Sequence, residues 1–198
     1  FGSDLQVSAG SQKFDVRLSA AGVHNVRNAL AAIACTLAIG IEAGAIKRGL
    51  EAFAPVNGRL QRKTAKGGAL VINDTYNANP DSVRAAIDVL AQAAAPRTLV
   101  LGDMGEVGND GRQFHEEIGA YARERGIEHF FTLGDLATYA ATAFGAGATH
   151  FHDVDSLNQA VEAMLTPGTT VLVKGSRFMK MERVVHCLVP LSANKVPI

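Results

Sequence analysis

The sequence has no tryptophan, only two cysteines in 198 residues, and no excess of either charge, with Lys+Arg 19 against Asp+Glu 19. Cys35 and Cys187 each fall inside an apolar helical pattern and form neither a C-x-x-C pair nor a disulfide framework, which argues against a stapled scaffold and suits a reducing cytoplasm. Balanced charge gives no general attraction to a nucleic-acid duplex or an anionic membrane surface, so anion binding must be local. No uncharged apolar run of about eighteen residues or more occurs, and Phe1-Gly2-Ser3-Asp4 lacks a basic region followed by an apolar one. A cytoplasmic chain without membrane insertion is expected. Two chemical signatures are missing as well. No G-x-x-x-x-G-K-[ST] loop is present to cradle a triphosphate, because Lys63-Thr64 lacks the preceding glycine, and no G-x-S-x-G elbow supports acyl-enzyme chemistry. Gly145-Ala146-Gly147 follows a helical pattern and lacks the third glycine of a dinucleotide fingerprint. There is no initiator methionine and the chain opens in mid-strand, so it reads as a piece of a longer protein.

What is present is enough for a packed core, since 47% of residues are hydrophobic. Residues 5–8 and 14–18 alternate around Ala9-Gly10-Ser11-Gln12 as a hairpin would. Two helical patterns follow, at 25–39 and 42–53. Val26, Leu30, Ile33, Ala34 and Leu37 line one face of the first, and its alanines predict burial on more than one side. Pro55-Val56-Asn57-Gly58 is the sharpest break in composition, which places a hinge at 55–59. Beyond it, 60–64 and 69–72 flank Lys66-Gly67-Gly68 as a second hairpin. Nearly continuous apolar runs at 98–101, 128–133, 149–151 and 169–173 then alternate with helical patterns at 112–125, 135–144, 156–165 and 178–188. Such runs predict an α/β fold, a Rossmann-like, mostly parallel sheet with helices on both faces.

The carboxyl ends of parallel strands share one edge, where open α/β sheets bind ligands. There the sequence sets Asp74, Gly102-Asp103, Gly134-Asp135, Asp153 and Lys174-Gly175-Ser176. Asn73-Asp74-Thr75-Tyr76-Asn77-Ala78-Asn79-Pro80-Asp81-Ser82 runs from a strand into a helix. Pro80 suits the first helical position and Asn79 suits the cap, which leaves Asp74, Asn77 and Ser82 as site candidates. Asn25 and Asn28 lie on one face of a first helical turn. Their amides can serve adenine or ribose, although Asn25 as an N-cap and Asn28 as a plain polar residue is the stronger reading of those residues alone. Asp103 and Glu106, in a loop after a strand, and His150 and His152, on a short strand with no third ligand at a telling spacing, read as ordinary polarity.

Five segments in order, His24-Asn25-Val26-Arg27-Asn28-Ala29, Gly58-Arg59, Asn73 to Pro80, Leu101-Gly102-Asp103-Met104-Gly105-Glu106-Val107-Gly108 and Val173-Lys174-Gly175-Ser176-Arg177, resemble the Mur ligase family. These are the ATP-dependent amide ligases of peptidoglycan precursor synthesis. The Tyr-Asn-Ala-Asn-Pro stretch resembles the branch that adds D-alanyl-D-alanine to UDP-N-acetylmuramoyl-tripeptide. The resemblance implies that residues 1–54 are the end of an α/β central ATPase domain and 60–198 a complete Rossmann-like ligase domain. The phosphate loop and the residues for Mg2+ would then lie upstream. It further implies ATP contacts from Asn25, Asn28, Arg59 and Asp74, and dipeptide contacts from Asn77, Asn79, Ser82 and Lys174, with Asp103 and Glu106 nearby but unassigned. No catalytic residue is implied in this stretch, and a monomer is expected. The competing expectation is a non-catalytic α/β module that holds a nucleotide or dipeptide.

Overall fold

The computed structural model describes residues 2–10, 12–54 and 56–190. Pro55 of the expected hinge, Ser11 of the first turn and 191–198 of the expected second domain lie outside them. The chain divides into two compact units, 1–56 and 57–198.

In the first unit β1 (Ser3–Ala9) pairs antiparallel with β2 (Gln12–Leu18), and α1 (Val23–Ala38) and α2 (Ala43–Glu51) follow. Val7, Val16 and Leu18 of the hairpin form a small core with Ala29, Ile33 and Ile46. The expected burial of α1 on several sides does not hold, for Leu30 is 47% exposed and only Ala29 and Ile33 are buried along the helix. Among the described residues, a hairpin and one short helix give a helix of this length too little to pack against.

The second unit carries a six-stranded sheet of β3 (Gln61–Thr64), β4 (Leu70–Asp74), β5 (Arg97–Gly102), β6 (His129–Leu133), β7 (Ala148–Phe151) and β8 (Thr170–Lys174). The spatial order is β3-β4-β8-β5-β6-β7. Only β3, at one edge, runs antiparallel. The second hairpin and the parallel sheet are thus as expected.

Both faces of the sheet are covered. Ile72, Leu172, Leu99 and Leu101 pack with α3 (Pro80–Ala91), α4 (Gly111–Glu124) and α5 (Ala137–Phe144). Val71, Val171, Val173 and Val100, one residue out of phase, pack with α6 (Val154–Ala163) and α7 (Glu182–Leu188). Two apolar faces explain why these strands read as continuous apolar runs. The helical pattern expected over 178–188 is broken in two. A short 3-10 turn, Arg177–Met179, ends at Lys180 in the left-handed region (φ 51°), and α7 starts afterwards.

Candidate functional site

Side chains alternate across a strand, so a residue two beyond a core residue keeps its face but leaves the core. Asp74 stands two past Ile72, Lys174 two past Leu172, and Asp103 two past Leu101, all at the carboxyl edge beneath α3, α4 and α5. Asp74 and Lys174 are also register partners on the last rung of β4 and β8. The chain leaves β4 toward α3 on one face and leaves β8 toward α7 on the other. Adjacent strands whose connections part in this way open a crevice between their ends.

At its floor, Lys174 Nζ donates to Asp74 Oδ2 at 2.6 Å and to the Asn77 carbonyl at 2.9 Å. Asp74 Oδ1 accepts from the Leu60 N–H at 3.1 Å, which ties the edge strand to the same point. The pair is deeply buried, Lys174 at 3% and Asp74 at 9% exposure. A buried ammonium without its carboxylate would be costly, so the two must be read as one unit. Lys174, expected at the dipeptide, is in this structure turned onto Asp74 and the loop backbone.

Two residues further along, Ser176 Oγ accepts from the Gly105 N–H at 2.5 Å and donates to the Ala78 carbonyl at 3.0 Å, while the Ser176 N–H donates to the Asp103 carbonyl at 3.0 Å. Asp103 is structural, since its Oδ1 accepts from Ala137 N at the start of α5 at 2.7 Å. Gly134, at φ 115°, lies so near that a β-carbon there would stand 2.5 Å from the Asp103 carboxyl. His115, fully buried, takes the Met104 N–H on Nε2 at 3.0 Å and faces the Gly111 carbonyl with Nδ1 at 2.6 Å. That pattern requires a neutral ring protonated at Nδ1. Burial lowers the His115 pKa, against a raising influence from the Gly111 contact and Asp103. Glu106 projects from the same loop, exposed and in the left-handed region (φ 59°).

The rim is built by the β4-to-α3 loop. Asn79 Oδ1 accepts from Ser82 N at 2.8 Å and Ser82 Oγ accepts from Asn79 N at 3.0 Å, a reciprocal capping box on α3. Ser82 is therefore not left over after capping, as the sequence suggested. Asn77 is exposed, Tyr76 is 50% exposed, and the exposed Arg59 lays its guanidinium 4.4 Å from the Tyr76 ring centre. Gly58, at φ 76°, accepts from the Tyr76 N–H at 3.1 Å and brings Arg59 to that ring.

Asn25 is not an N-cap. Gly22 holds that position on α1, and Asn25 Nδ2 donates back to the Ala21 carbonyl at 2.7 Å, with Asn28 exposed one turn on. Asp153 caps α6 through Ser156 N at 2.8 Å, and Asp135 is exposed. His152 falls just beyond β7. Its ring is 4.9 Å from that of His150, whose Nδ1 meets Thr132 Oγ1 at 2.9 Å. Burial foremost, then His152, lowers the His150 pKa. Among the described residues no group of three His, Cys, Asp or Glu could hold a metal ion.

Sequence reasoning missed the Asp74–Lys174 pairing, His115 and the double role of Ser176. The pairing depends on strand order, which no local pattern reveals, although the small polar residues after two apolar runs marked the place.

A doubly wound domain with its polar residues gathered at the strand ends has the layout in which open α/β sheets bind small molecules. The family model for the "Mur ligase, glutamate ligase domain" matches residues 58–177, and the chain belongs to the Mur ligase family. It is 39% identical over 186 residues to the UDP-N-acetylmuramoyl-tripeptide–D-alanyl-D-alanine ligase of Escherichia coli, covering 93% of this chain and 40% of that protein. Against the Bacillus subtilis protein of the same name, identity is 37%, over 86% of this chain and 39% of the relative. The crystal structure of MurF from Acinetobacter baumannii superposes with a TM-score of 0.86 at 34% identity, covering 93% of this chain and 41% of that one. The chain thus spans about two fifths of the length of the curated relatives it matches.

Proposed function

We propose that this chain is the carboxyl-terminal part of an ATP-dependent amide ligase that adds D-alanyl-D-alanine to UDP-N-acetylmuramoyl-tripeptide in peptidoglycan precursor synthesis. The observation that carries this reading is the 39% identity, across 93% of the chain, to a ligase of that name. Residues 1–54 would then close the central ATP-binding domain, 55–59 would be the hinge, and 60–198 the ligase domain.

Several features support the residue roles. Arg59 is exposed and cationic, as a phosphate contact must be. Asp74 already accepts from Leu60 and Lys174, yet a carboxylate has about four acceptor sites and can also take a ribose hydroxyl. Asn77 offers an exposed amide for the dipeptide. Asn79 caps α3 with its oxygen and keeps its amide nitrogen as a donor, beside a helix start that favours a carboxylate. Ser82 and Lys174 would act on the dipeptide through the loop they hold. Asn25 and Asn28 would meet the adenine. Mg2+ would be held by residues outside this chain.

ATP with its Mg2+ supplies the phosphoryl group that activates the tripeptide carboxylate. The part left to this domain is to seat the dipeptide with its amine facing that carbon and to exclude water. Such positioning can contribute about 7 to 11 kcal/mol to lowering a barrier. For the chain on its own, the lack of a phosphate loop in its 198 residues favours the second reading, a nucleotide- or dipeptide-binding module without catalysis.

Asn77→Ala in the full-length parent is the direct probe. The Michaelis constant for D-alanyl-D-alanine should rise about tenfold, as for one lost polar contact of 1 to 3 kcal/mol, with that for ATP unchanged. A defect confined to ATP would place the dipeptide elsewhere.

A further inference from the structure

The rim loop is held from below at two consecutive carbonyls. Lys174 Nζ binds the carbonyl of Asn77 at 2.9 Å, and Ser176 Oγ binds that of Ala78 at 3.0 Å. Alternation along the chain leaving β8 places these two side chains on one side, so two neighbouring peptide units are fixed by one short segment. The Ser176 hydroxyl uses its single proton on Ala78 and accepts from the Gly105 N–H, so it joins the β4-to-α3 loop to the β5-to-α4 loop. It is 3% exposed, so solvent has little access to either partner. Phe178, itself 62% exposed, lies against Gly105 beside the junction, for a β-carbon on Gly105 would stand 2.8 Å from its ring and 3.4 Å from Ser176 Oγ.

Asn77 and Asn79 flank the carbonyl that Ser176 holds. We infer that Ser176 is a positioning residue for the amine-donating substrate: it fixes the orientation of the Asn77 and Asn79 side chains and sets them relative to the Glu106 loop, without touching substrate itself. This inference rests on the proposed role of Asn77 and Asn79 at the dipeptide. Lys174 is also bound to Asp74, so its loss disturbs the ATP side too, whereas both Ser176 side-chain contacts lie in the two loops.

The test is Ser176→Ala in the full-length parent, with two readouts. In steady-state kinetics the Michaelis constant for D-alanyl-D-alanine should rise about tenfold, while that for ATP stays within about twofold. An unchanged dipeptide constant in an active enzyme overturns the inference and leaves the ligase reading standing. An equal rise in both constants, in step with a lower unfolding temperature, overturns it as well, because a purely structural loss acts on both substrates. Hydrogen exchange over Tyr76–Asn79 without substrates reads the clamp directly. Faster exchange in the variant is expected, and unchanged exchange overturns the inference even if the parent forms no amide, a result that would overturn the ligase reading. If Ser176→Ala does not accumulate folded, Ser176→Cys carries the same two readouts.

Discussion

Lys174 shows how much one side chain at a strand end can be asked to do. It neutralises Asp74, holds the Asn77 carbonyl and, through Asp74, shares a partner with Leu60. Removing one charge of such a pair strands the other in the interior, so Lys174→Met should cost about 3 to 5 kcal/mol in urea unfolding. The double variant Asp74→Leu with Lys174→Met should lose less than the two single changes added together. It should not recover fully, since the double variant takes the partner of Leu60 N with Asp74 and that of Asn77 O with Lys174. Strict additivity would mean that the pair is not coupled. His115 gives a prediction in pH. Its folded-state pKa lies below that of the unfolded chain because burial disfavours the imidazolium. Above about pH 6.5 both states are neutral and the group's contribution is fully present; as pH falls, only the unfolded chain takes up the proton and stability is lost, by at most about 1.4 kcal/mol per pH unit. His115→Gln, which can also accept from Met104 and donate to Gly111, should flatten that part of the curve. An identical pH dependence in the variant would show that His115 does not set it. At this scale the sequence disclosed the chemistry of the strand ends and not their partners. Asp74 and Lys174 are a hundred positions apart and meet only because β8 inserts beside β4.

Among elements, helix packing against the sheet was the most readable and helix against helix the least. Val83, Ala86, Ile87 and Leu90 recur at helical spacing and are all buried on α3. Nothing local shows that α4 meets α5 backbone to backbone, yet a β-carbon on Gly119 would stand 2.0 Å from the Ala140 carbonyl oxygen. Gly119→Ala must push the helices apart and should cost about 3 kcal/mol or more in thermal unfolding, at the upper end of what overpacking a core does. Gly49→Ala is the matched control, for Gly49 is exposed on α2 with nothing within 4 Å of the added carbon. There alanine should stabilise by about 0.5 to 1 kcal/mol. Equal effects at the two sites would refute the close α4–α5 contact. The split of the 178–188 pattern was hidden for a similar reason, since Lys180 carries no local mark of its left-handed backbone.

For the whole molecule, the Rossmann-like sheet was legible because it rests on apolar runs, which are properties of long windows. The site was legible only in part, because the contacts that build it run between loops distant in sequence. Among the described residues no helix is long and apolar enough to cross a membrane. In the proposed function, the parent is a ligase whose amine-donating substrate is seated by this domain and whose triphosphate is gripped mainly elsewhere. Residues 1–198 alone should therefore bind ATP weakly and form no amide. The most direct measurement is phosphate release by the full-length parent with ATP, Mg2+, UDP-N-acetylmuramoyl-tripeptide and D-alanyl-D-alanine, each omitted in turn, with residues 1–198 assayed beside it. Release that requires all four, matched by amide product and absent from the fragment, is the predicted result; release that ignores the dipeptide, or turnover by the fragment alone, would contradict it.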